Sequence, residues 1–123
     1  MISFIKLLAT FFLLFYITVV ASGATLTKSQ QKSYAAAMTG LTVARTCNSI
    51  VGGHAGDVSF FKGPAAKGRK FAKSLGAKSS LIASVERKHR TRLAKQIKSK
   101  SESRQKAFCN REVSKWRRKV RHK

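Results

Sequence analysis

Lysine and arginine are the side chains here with chemistry to offer, and nearly all of them lie in one half of the chain. Residues 62–123 hold 22 of them against three acids, Glu86, Glu102 and Glu112. Residues 1–61 hold four against the single acid Asp57. The total is +22 over 123 residues. A small domain ordinarily keeps its net charge within about 2–8 units, because self-repulsion opposes compactness. A surplus this large implies an anion that neutralises it. Ammonium and guanidinium groups hold phosphate or sulfate by Coulomb attraction and counterion release, which requires charge density more than fixed geometry.

Two stretches are densest. Arg87, Lys88, Arg90, Arg92, Lys95 and Lys98 crowd one segment, and Arg117, Arg118, Lys119 and Arg121 crowd the C-terminal tail, with Arg111, Lys115 and Lys123 close by. These first ten are the candidate polyanion-binding residues. An ordinary solvated helix face mixes signs, and this one does not. Trp116, inside the basic tail, is a candidate for stacking on a base or for sitting at a lipid interface; a lone Trp three residues after a Val is also an ordinary core residue. The expected partners are polyanions: nucleic acid, lipopolysaccharide or a sulfated glycan. An anionic membrane surface and an acidic protein, for which the charge is a steering field, are the other candidates. Sequence-specific readout is not expected, since there is no zinc-finger spacing, no aromatic pair on a strand and no helix-turn-helix pattern.

Catalysis finds less support. His54, His89 and His122 with many lysines fit the two-imidazole logic of a metal-free ribonuclease. Yet His89 falls on an apolar stripe, His122 in the tail, and His54 in a glycine-rich stretch three residues before Asp57. The chain is read as a binding protein and not an enzyme. Cys47 and Cys109 are far apart, no CxxC or HxxxH pair exists, and GGHAG and GPAAKG lack the context of a phosphate loop. No metal and no cofactor is expected.

The N-terminus reads as a targeting segment, residues 1–24. Lys6 and the free amine precede an apolar run, Leu7–Val20, followed by the small residues Ala21, Ser22, Gly23 and Ala24. The expectation is a cleaved signal peptide and a secreted or periplasmic protein. The alternative is an uncleaved membrane anchor, because residues 7–26 carry no charge and about 20 such residues span a bilayer; the basic domain would then lie in the cytoplasm. In an exported chain, two cysteines imply one disulfide, Cys47–Cys109.

Residues 25–123 form the expected basic helical domain, all-α, a bundle of three or four helices with a frayed basic C-terminus. Thr27 and Gln30 have the form of a capping box. Tyr34, Ala37, Met38, Leu41, Ala44, Cys47 and Val51 follow at helical spacing, ending at Gly52-Gly53. Residues 52–63 read as loop with Phe60 and Phe61 tucked beneath the helices. Pro64 opens a second helix running to Leu75 and Gly76, with Phe71 and Leu75 inward. Ser79 or Ser80 caps a third, whose stripe is Ile82, Val85, His89, Leu93 and Ile97. Apolar spacing fades over Lys100–Gln105, and Asn110 caps a short last helix aligning Val113, Trp116 and Val120. That face is too small for strong membrane insertion, so a membrane-active antimicrobial or toxin stands as the second reading.

Overall fold

The computed structural model describes residues 26–121, and the side chain of Arg121 is not described. The targeting segment, His122 and Lys123 lie outside the described residues. Four helices follow in order: α1 Lys28–Ile50, α2 Ala55–Ser74, α3 Ser79–Lys98 and α4 Glu102–Arg121. The fold is an all-α four-helix bundle.

α1 begins where the capping box requires. Thr27 Oγ1 accepts from the Gln30 backbone N–H at 3.1 Å, and Gln30 Oε1 accepts from the Thr27 backbone N–H at 3.0 Å. The helix ends in two left-handed glycines, Gly52 (φ 83) and Gly53 (φ 81), a conformation that costs a glycine nothing. The expected stripe is only part of what α1 buries: every residue from Ala35 to Ala44 is buried. The reason is position, since α1 packs against α2, α3 and α4 in turn. Small side chains make this possible. Thr39, Thr42 and Thr46, buried among them, satisfy their hydroxyls on the carbonyls of Ala35, Met38 and Thr42, four residues back.

α2 starts nine residues before Pro64, so residues 55–63 are helix and not loop. Pro64 lies inside the helix and not at its first position. It brings no N–H to the ladder, and tertiary packing offsets that loss. Phe61 is fully buried against α1 at Gly40, where an added methyl would fall 2.7 Å from the ring Cδ1 and Cζ. Gly68 repeats the arrangement: a Cβ there would lie 3.0 Å from Met38 Sδ and 3.1 Å from the Tyr34 carbonyl oxygen. Two glycines thus let α1 and α2 approach closely. The inward face of α2 is Phe61, Ala65, Gly68 and Ala72, while Phe71 and Leu75 are only half-buried. Gly76 (φ 96) closes the helix as expected, donating to the Lys73 carbonyl at 3.0 Å.

α3 is capped by Lys78 without a side-chain hydrogen bond, so neither Ser79 nor Ser80 caps it; Ser79 is its first residue. Its five stripe residues, Ile82, Val85, His89, Leu93 and Ile97, are all buried. α4 is 20 residues long and not a short helix beginning at Asn110. Only Ser99–Ser101 separates it from α3, and the Gln105 N–H donates to the Ser101 carbonyl at 2.8 Å. Among the described residues the tail is helical through Arg121. Cys47 and Cys109 form a disulfide with Cα atoms 5.7 Å apart. Cys109 therefore sits within α4 and not at its start. Ser33 Oγ, donating to the Val120 carbonyl at 2.8 Å, ties the far end of α4 to α1.

Candidate polyanion-binding surface

Because α3 needs only its stripe to pack, the rest of its circumference is open. Arg87, Lys88, Arg90, Arg92, Lys95 and Lys98 are all exposed along its 20 residues. Three of the four acids bond to groups outside this set. Asp57 bonds to His54 and Arg117, Glu112 lies 3.8 Å from Lys115, and Glu86 takes Arg69 in a two-oxygen contact at 2.6 Å. The first six candidates lie together along one exposed, basic helix.

The tail residues differ in exposure and partners. Arg118 and Lys119 are exposed on α4. Arg117 is half-buried, its Nη1 donating to Asp57 Oδ1 at 2.7 Å and its guanidinium 4.2 Å from the Phe60 ring centroid. Arg121 ends the helix. Trp116 is 1 % exposed, with Lys119 Nζ 4.4 Å and Lys115 Nζ 5.5 Å from its ring centroid. The folded protein keeps that ring in its core. Partial burial, reinforced by the neighbouring Lys115, lowers the Lys119 pKa from its usual value.

His89 is 3 % exposed within the α3 stripe. Burial, with Arg92 adding repulsion, pulls its pKa down to about 4, so it sits neutral in the core at neutral pH.

Two further features escaped the sequence reading. A groove of about 340 Å³ runs between α1 and α2, with Leu41 and Ala66 among its lining. Arg45 of α1 and Lys62, Arg69, Lys70 and Lys73 of α2 complete it. The signal was present, since 62, 66, 69/70 and 73 share one helical face; reading 52–63 as loop detached Lys62 from it. The second is an open cleft between the start of α2 and the middle of α4, about 410 Å³ in volume. There His54 Nδ1 meets Asp57 Oδ2 at 2.9 Å, and Asp57 Oδ1 receives Arg117. Burial works to raise the Asp57 pKa, but hydrogen bonds from His54 and Arg117 outweigh it and hold the carboxyl below its usual value. This second site brings together residues about 60 positions apart, which no local spacing announces.

Among the described residues no three His, Cys, Asp or Glu side chains gather as a metal site requires. Among those residues no helix is long and apolar enough to cross a membrane. The chain matches no family model, no curated protein and no solved structure.

Proposed function

We propose that this chain is an exported, disulfide-stapled helical protein that binds polyanions through α3 and the flanking basic groove by electrostatics. One observation carries the reading: α3 exposes six bases on a helix anchored by a single apolar stripe. A surface of this kind follows a line of phosphates or sulfates without requiring a particular sequence. The burial of Trp116 and of the α3 stripe favours this over membrane insertion, because the apolar faces that would enter lipid are already in use.

The test is binding of the oxidised protein to labelled DNA and to heparin across a salt series, with anionic vesicles in parallel. Engagement of the six α3 bases gives a log–log salt slope on duplex DNA of about −5 or steeper. Weak binding that ignores salt would refute the proposal. Leakage of the vesicles without polymer binding would replace it with the membrane-active reading.

A further inference from the structure

We infer that the cleft between α2 and α4 is a discrete phosphate site that takes one phosphodiester of a nucleic-acid strand. The inference rests on the polyanion reading for the class of partner, and on the cleft's own geometry for the site. His54 is only 6 % exposed, yet it lines the cleft. Its Nδ1 bonds to Asp57 Oδ2 and its backbone N–H donates to Asn48 Oδ1 at 2.9 Å, so the ring and the backbone beneath it are both held at the edge of the cleft. Arg117 is equally constrained, with Phe60 against its plane and Asp57 on Nη1. Its remaining nitrogens face no other acid among the described residues. Arg118, Asn110 and Ser114 complete the polar lining from one side of α4.

Asp57 is the one acid in the cleft, and both of its oxygens are already taken, by His54 and by Arg117. With no free carboxylate oxygen in the cleft, what α4 presents to an incoming ligand is a set of donors: the Arg117 and Arg118 guanidiniums with Asn110 and Ser114. A guanidinium fork held in place, a second arginine beside it and neutral donors around them form the arrangement that recognises a tetrahedral oxyanion. This differs in kind from α3, where charges are dense but side chains are loose. Of the apolar neighbours, Val113 is buried and Phe60 is half-buried beneath the Arg117 guanidinium, which leaves little apolar surface for an acyl chain. That directs the assignment to a soluble phosphodiester and away from a phospholipid.

The experiment is a titration of inorganic phosphate into the ¹⁵N-labelled, oxidised full chain, followed by NMR. The expected result is a saturable shift confined to the His54 ring, the Asn110 and Ser114 amides and the Arg117 and Arg118 guanidinium signals. Arg118→Ala should weaken it at least about tenfold, the scale of one charge-assisted contact. Lys78→Ala, which removes the same charge from an exposed site outside the cleft, should leave it unchanged. A short oligothymidylate should displace phosphate from the same signals. Shifts spread evenly over all basic residues, or equal weakening by both substitutions, would overturn the site. Displacement by phosphatidylglycerol vesicles but not by the oligonucleotide would overturn the nucleic-acid assignment. Loss of the polymer salt slope with phosphate still confined to the cleft would instead defeat the α3 reading alone.

Discussion

α1 and α3 are neighbours of similar length that solve opposite problems. α1 is built from alanine, threonine, glycine and a few larger apolar residues, and is buried on most of its circumference. α3 buries five residues along one line and exposes bases on the rest. The contrast shows how a chain of net +22 folds at all. Placing a helix whose buried middle, residues 35–44, carries no charge at the centre lets each outer helix contribute only a narrow stripe, leaving its remaining faces for charge. Burial and charge are separated by helix, where most small bundles separate them by face.

Neutralising α3 should have the largest effect. Converting Arg87, Lys88, Arg90, Arg92, Lys95 and Lys98 to glutamine should shrink the DNA salt slope by about 5 and lower affinity near physiological salt at least about a hundredfold. Thermal stability of the same variant should hold or rise, because self-repulsion is relieved. A fall in stability would mean that the bases also hold the helix in place.

The central position of α1 is probed next. The Cys47–Cys109 bond joins it to α4 across 62 residues of chain. Replacing both cysteines by alanine should cost about 4 kcal/mol in denaturant unfolding, on the chain-entropy account. That approaches the whole stability of many domains of this size.

Acid tests the seam between the two helices. His89 titrates at about 4 in the folded chain against an ordinary 6.5. Its contribution is complete above pH 6.5 and is lost as pH falls from there through about 4, because the unfolded chain takes up the proton first. The loss amounts to about 3 kcal/mol. His89→Leu should flatten that slope in unfolding measured at pH 7 and pH 4.

The smallest effect belongs to the periphery. Glu86→Gln, which breaks the partly exposed bridge to Arg69, should cost at most about 1 kcal/mol and leave the basic surface intact.

How much of this was legible follows the same division. The α3 stripe could be read residue by residue, because large apolar side chains at spacings of three and four stand out against lysine and arginine. The capping box of α1 was equally plain. The enclosure of α1 was not, since alanine, threonine and glycine carry no strong preference for either side of a surface. α2 was cut short by Gly63 and Pro64, whose local signals were overridden by Phe61 closing onto Gly40. The first turns of α4 were missed because they are almost wholly polar until Phe108. Six of the ten candidate bases came out together along one exposed helix. The α2–α4 cleft stayed hidden because its parts meet only after folding.

The covalent bond between Cys47 and Cys109 also governs what becomes of the protein when it is cut. The turns at Leu75–Lys78 and Ser99–Ser101 both lie inside the stretch that this bond closes. They carry lysines, at Lys78 and Lys100, where a trypsin-like protease cleaves. A single nick at either turn yields two polypeptides but no separate fragment. The pieces stay joined, α4 remains fastened to α1, and the clipped molecule keeps its mass until a reductant arrives.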